Sequence, residues 1–369
     1  MKKFSLTITG LIMFVILLSP STVNPGVQAI TVSGPIPIPG NLFSVTGTGT
    51  PIIPSTPDLG TAPTGLSGLS LYSINKVQSG LVASDPLNNE VKTQQQLQAN
   101  PGYWFYGGDA PAENAPFDFY KDMQGLHIGV QAPANGTWAG YYAVTPSTNA
   151  ALFHAVVTTP VSMIPSTNNW YENGLYVQTT QPVVSYVTCV SVTSKFGTQW
   201  SIVSTVGNAN QSTQFNILWT DSSVNQPLTR DCTIITNGDN YLKVYLDGVM
   251  VYSSNTLKLN MPGPFYAFLE PQSNYAGQLL EGTYKDYYAA SDEKIQVINL
   301  PNNAARVDLT DTSGVLVSAS VSGGTAILDV GKYHFPLATN IKVYDSNNAI
   351  ITSTSTPVNI FGGDVYSVS

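Results

Sequence analysis

Apolar and polar positions alternate with a period of two over most of the chain's second half. The clearest stretch is 241–252, where Leu242, Val244 and Leu246 interleave with Tyr241, Lys243 and Tyr245. That period puts one set of side chains on each face of a pleated strand. Asp247-Gly248 follows, the residue pair that accepts the two positive φ angles of a two-residue type I′ turn. A hairpin is therefore expected, with Leu246 opposite Val249 and Val244 opposite Val251 on a buried face. Tyr245 would lie opposite Met250, and Lys243 opposite Tyr252, on the outer face. Strand-like runs precede and follow it: 126–131, 138–145, 152–158, 175–179, 184–193, 200–206, 215–220, 232–236, 265–270 and 282–288. Clusters of Gly, Pro, Asn and Ser separate them, the pattern of an all-β sandwich. A polar segment, 88–98, suits a short helix and leads into the aromatic loop Tyr103-Trp-Phe-Tyr-Gly-Gly-Asp109.

The pattern changes near Ala290. Two similar hairpin signals follow, 307–317 and 341–351, each with alternating apolar residues on both sides of an Asp-led polar turn. A second β unit over 292–369 is expected, behind a first unit over 71–291. Residues 30–70 are rich in Pro, Gly, Thr and Ser and read as an extended or disordered arm. Before them, Lys2-Lys3, the apolar run Leu6 to Leu18, Ser19-Pro20 and Val27-Gln-Ala29 have the order of a secretory signal over 1–29. The run is short for a bilayer span, so an exported chain beginning at Ile30 is expected, secreted or at the cell surface, with no stable membrane span.

Charge narrows the partners. Only 10% of residues are charged, and removing Lys2 and Lys3 from 14 basic residues leaves 12 against 22 acidic, a net of −10. Nucleic acid and anionic membranes need a positive face, so neither is expected as a partner. Asn135-Gly-Thr and Asn210-Gln-Ser are glycosylation sequons. Cys189 and Cys232 both lie in strand-like runs, and in an exported chain they favour one structural disulfide. The three histidines, His127, His154 and His334, show no ligand spacing with the cysteines, so no metal ligands are assigned. His127 and His154 read as sheet-surface residues.

The run 240–252, with the strands around it, resembles the late hairpin of concanavalin A-like, laminin G-type jelly rolls. The tail resembles small immunoglobulin-like modules, and the whole chain resembles exported proteins of ammonia-oxidising archaea. The resemblance implies an all-β fold, a concanavalin A-like jelly-roll sandwich followed by a small immunoglobulin-like β-sandwich. Glycosidases of this fold are similar to one another in a strand with glutamates and an aspartate at alternate positions. No Glu-x-Asp-x-Glu occurs here, and Glu90, Glu113, Glu172, Glu270, Glu281 and Glu293 are scattered. Legume-type lectins resemble one another in an Asp- and Asn-rich calcium loop. Asn237-Gly-Asp-Asn240 could be a fragment of one, but its position between two strands suits a plain turn better. No cofactor is assigned, and Ca2+ stays open.

Catalysis leaves little trace. There is no Gly-x-Ser-x-Gly elbow, although carboxylates converging from distant strands would still allow a glycosidase or acid peptidase. Glycan binding has more support, because aromatic rings stack on sugar C–H faces while amides and carboxylates read hydroxyls. Three groups combine them: Tyr103, Trp104, Tyr106 with Asp109; Trp170, Tyr171 with Asn173; and the hairpin stripe Tyr241, Tyr245, Tyr252. The same residues suit core plugs and β-surface packing. A non-catalytic lectin-like or adhesion protein that takes an extracellular glycan is the leading expectation. A structural component of the cell envelope or a filament is the alternative.

Overall fold

The computed structural model describes residues 72–108, 115–165, 168–179, 184–207 and 214–369. The signal, the arm, Asp109 and Asn210 lie outside the described residues.

Two antiparallel sheets face each other in a jelly-roll sandwich. One has seven strands, in the order Gln214–Thr220, Gly197–Val206, Ser185–Ser194, Tyr171–Thr179, Tyr266–Ser273, Ala139–Val144 and Phe105–Gly108. The other has eight: Val249–Ser254, Leu242–Leu246, Thr229–Thr236, Leu152–Thr158, Leu280–Ala290, Gly125–Val130 and Phe117–Asp122 in order, with Leu81–Asp85 also paired to Leu280–Ala290. Their inner faces supply one core. Leu175, Val177, Val187, Trp200 and Leu269 come from the first sheet, and Leu126, Phe153, Val157, Ile234 and Val244 from the second. Cys189 and Cys232 join the sheets as a disulfide. The α-helix among the described residues is Gln94–Ala99, opened by a capping box between Thr93 and Gln96.

The hairpin keeps its expected turn, since Asp247 and Gly248 both have positive φ, at 51° and 72°. Its register departs from expectation beyond Tyr245. Leu246 pairs with Val249 and Tyr245 with Met250, but a bulge then sets Val244 opposite Tyr252 and Lys243 opposite Ser253. The extra residue is Val251, and such an insertion flips everything beyond it to the other face. Val249, expected inside, is 65% exposed at the hairpin tip. The expected loop at 103–109 differs too, because Phe105–Gly108 is an edge strand paired with Ala139–Val144.

The C-terminal unit is a smaller sandwich. One sheet runs Ile74–Gln78, Val365–Val368, Lys294–Ile298 and Ala326–Asp329. The other runs Gly314–Ser320, Ala304–Asp311, Leu337–Asp345 and Ile350–Ser353, with Val358–Ile360 also paired to Leu337–Asp345. Ile74–Gln78 pairs with the last strand of the chain, so residues near position 71 begin in this unit and cross to the larger sandwich at Leu81. The two units share apolar packing. Leu152, Ile235, Tyr245 and Tyr288, on the outer face of the eight-stranded sheet, pack with Ile295, Leu328 and Phe335. Among the described residues, no helix is long and apolar enough to cross a membrane.

Candidate functional site

The outer face of the seven-stranded sheet gathers aromatic rings and carboxylates. Alternation along Tyr171–Thr179 sends Leu175 and Val177 into the core, and therefore Glu172, Tyr176 and Gln178 to the other face. On Tyr266–Ser273 the same logic buries Ala267 and Leu269 and turns Tyr266, Phe268, Glu270 and Gln272 outward. Tyr142, Val144, Tyr176 and Phe268 form a separate apolar cluster there, flanked by the half-buried Phe105, Tyr186 and Tyr266. Tyr142 meets Phe268 edge-on at 5.2 Å, and Tyr176 meets Tyr186 edge-on at 5.5 Å.

Register brings the acids together. Glu172 lies opposite Gln272, and Glu270 opposite Gly174, so the two carboxylates occupy adjacent strands two positions out of step on one face. Burial pushes the Glu172 carboxyl up to about 7, although Tyr176 Oη donates to it at 3.3 Å and pulls the other way. Glu270 accepts from the Gln272 side-chain amide at 2.9 Å. Gln178 is fully buried, with neither amide atom hydrogen bonded. The face thus presents half-buried ring surfaces and, at Glu172, a carboxyl with a raised pKa, while Glu270 and Gln178 on the same face are fully buried.

The residues expected to bind ligand are placed differently. Trp104 is a core plug, 1% exposed, its Nε1 donating to Asp85 Oδ2 at 2.9 Å and its ring packed against Tyr287. Tyr103 packs beside it, and Tyr106 stacks on Phe119 at 4.5 Å. Trp170 and Tyr171 are buried, Tyr171 completely. Asn173 ties the sheets together, donating to the Thr158 carbonyl at 2.8 Å and accepting from Tyr284 Oη. Of the hairpin stripe, Tyr245 is buried against the C-terminal unit, and Tyr241 donates to Glu293 at 2.5 Å. Lys243 pairs with the same Glu293. Tyr252 rests partly buried against the main core. Outward from one sheet is here inward to the next layer. Asn135 is exposed in its loop.

Asn237-Gly-Asp-Asn240 is a side-chain-closed turn. Asn237 Oδ1 accepts the backbone N–H groups of Asp239, Asn240 and Tyr241 at 3.0, 3.1 and 2.9 Å. Gly238 has φ +74°, and a Cβ there would run into the Met261 carbonyl oxygen.

His127 and His154 are buried rather than open to the surface. His127 is 8% exposed and bracketed, its Nδ1 against Glu281 Oε1 at 2.8 Å and its Nε2 against Asp122 Oδ1 at 2.9 Å. Burial alone would lower its pKa, but the hydrogen bonds to Glu281 and Asp122 outweigh it and raise the pKa. Both ring nitrogens are used, which marks an ion-paired structural cluster. His154 is fully buried on the outer face of the eight-stranded sheet. It meets Asp231 and, from the C-terminal unit, His334, and the donor atoms of these three residues lie within 4.8 Å of one another. Sequence spacing could not bring these three together, because three separate segments supply them. The outer face of the seven-stranded sheet was equally hidden: Glu172 and Glu270 look scattered until the strands are paired.

No family model matches the chain, and no curated protein matches it. It is similar to several solved structures. The endo-1,3-beta-glucanase from Streptomyces sioyaensis has a TM-score of 0.38 at 11% identity, over 63% of this chain and 100% of that one. LamAcat from Zobellia galactanivorans has a TM-score of 0.38 at 13% identity, over 56% and 97%. A carbohydrate binding module from Bacillus subtilis has a TM-score of 0.31 at 8% identity, over 51% and 95%.

Proposed function

We propose that the chain binds carbohydrate on the outer face of its seven-stranded sheet. One observation carries this reading: aromatic rings and hydroxyl-reading groups share a single face, on regular strands. Tyr142, Tyr176 and Phe268 have little exposure, so a sugar would first meet the half-buried rim of Phe105, Tyr186, Tyr266, Glu172 and Gln272. Ring faces supply apolar area for sugar C–H groups, and the acids and amides accept and donate to hydroxyls. Sites on strands hold such groups more rigidly than loops do. Retention on a panel of neutral polysaccharides, by affinity electrophoresis, tests the reading. Tyr186→Ala and Tyr266→Ala should each reduce retention at least tenfold, while Met250→Ala on the hairpin tip should not. Retention unaffected by both tyrosine changes would end it.

A second reading, glycoside hydrolysis on the same face, rests on Glu172. A carboxyl poised near 7 can donate a proton to a leaving oxygen, while Glu270 on the next strand is fully buried and would act as nucleophile or base only once uncovered. Release of reducing ends from the retained polysaccharide, abolished by Glu172→Gln, would establish it. Retention without release, unchanged in Glu172→Gln, would leave binding alone. We also propose that the chain acts outside the cell. Recovery of a secreted form starting at Ile30 would support this, and an intracellular chain that keeps Met1 would contradict it.

A further inference from the structure

We propose that His154, Asp231 and His334 bind one divalent transition ion, of the zinc type, where the C-terminal unit meets the larger sandwich. The three residues come from Leu152–Thr158, Thr229–Thr236 and the loop before Leu337–Asp345, and their donor atoms lie within 4.8 Å of one another. Two imidazoles and one carboxylate are a donor set that zinc favours, with water completing a tetrahedron.

The state of His154 is the independent observation. The ring is fully buried, stacked on Tyr288 at 4.2 Å and met edge-on by His334 at 4.8 Å. Its Nδ1 lies 2.9 Å from Thr233 Oγ1 and 3.1 Å from Asp231 Oδ1, whereas its Nε2 has no hydrogen-bond partner. An imidazole that gives its Nδ1 proton to an oxygen presents a bare lone pair on Nε2, the arrangement found in histidines that bind metal. A buried nitrogen left unbonded is costly unless something else satisfies it.

Charge points the same way. Asp231 Oδ1 lies 3.1 Å from His154 Nδ1, while Arg230 turns to Asp221 and Asp247. Asp247 and Asp286 add further negative charge near Asp231. A divalent cation would neutralise this excess of carboxylates. Tetrahedral zinc separates its ligand atoms by about 3.4 Å, so donor atoms already within 4.8 Å of one another need approach by little more than about 1 Å. The ion would tie the two units through one residue of the smaller and two of the larger.

The test uses the full exported chain without an affinity tag. Zinc titration by calorimetry near pH 7.5 should give one ion per chain, and Co2+ should develop the visible absorption of a tetrahedral nitrogen and oxygen site. Zinc should raise the melting temperature, and chelator should reverse the rise. His334 is exposed, so His334→Gln should melt like the wild type in chelator, yet lose at least tenfold in zinc affinity and the zinc-dependent rise. Asp231→Asn should weaken binding in the same sense. Absence of stoichiometric zinc binding, or equal affinity in the wild type and His334→Gln, would overturn the proposal.

Discussion

Glu172→Gln removes one titration from the outer face of the seven-stranded sheet, and its effect on stability has a definite sign. Burial holds the Glu172 carboxyl at about 7, against 4.5 for the free side chain. Between those values the folded chain keeps a proton that the unfolded chain has released. Stability therefore falls as pH rises through that window. Below it both states are protonated, and above it both are ionised. The full swing is at most about 3 kcal/mol, and water at the half-buried rim reduces it. Glutamine keeps the shape and the acceptor for Tyr176 Oη but does not titrate. Urea denaturation of wild type and variant at about pH 4.5, 6 and 8 isolates the effect, because every other titrating group cancels in the difference. The variant should gain about 2–3 kcal/mol on the wild type between the acid and alkaline ends. A difference that does not change with pH would refute both the raised pKa and the burial behind it.

Three further outcomes are expected. Cys189→Ser or Cys232→Ser opens a link 43 residues apart in sequence and should lower stability by about 4 kcal/mol, read from denaturant midpoints at unchanged slope. Trp104→Phe loses the bond to Asp85 and should cost roughly 1–3 kcal/mol while leaving polysaccharide retention at the wild-type level, since the ring is core. Lys243→Met leaves Glu293, 4% exposed, without its cation and should cost about 3–5 kcal/mol. That loss should appear as faster proteolytic cleavage near Ser291, where the two units join.

Much of the fold was legible in the residues. Period-two alternation marked the strands from Leu126 to Tyr288, and Asp247-Gly248 marked a turn that both residues' positive φ angles bear out. The paired cysteines marked the link between sheets. The bulge at Val251 was not legible, because Val249, Met250, Val251 and Tyr252 are all apolar or aromatic, so a one-residue slip leaves either face acceptable to the sequence. Nor was the burial of Tyr245. Period two says which residues share a face, but not what packs on that face, and here the C-terminal unit does. The candidate site was hidden for a related reason. Glu172 and Glu270 become neighbours only through the pairing of Tyr171–Thr179 with Tyr266–Ser273, a register that local sequence does not encode. Trp104 and Trp170 drew attention as loop aromatics, yet large rings at the ends of a sandwich also serve to close it.

Hydroxyl-radical footprinting of the chain with and without a retained polysaccharide addresses the central claim most directly. Protection should appear at Tyr186 and Tyr266, on the rim of the seven-stranded sheet, with Met250 at the hairpin tip reacting as before. Protection confined to Met250 and Tyr252, with Tyr186 and Tyr266 unchanged, would place the sugar on the opposite side of the molecule and contradict the account.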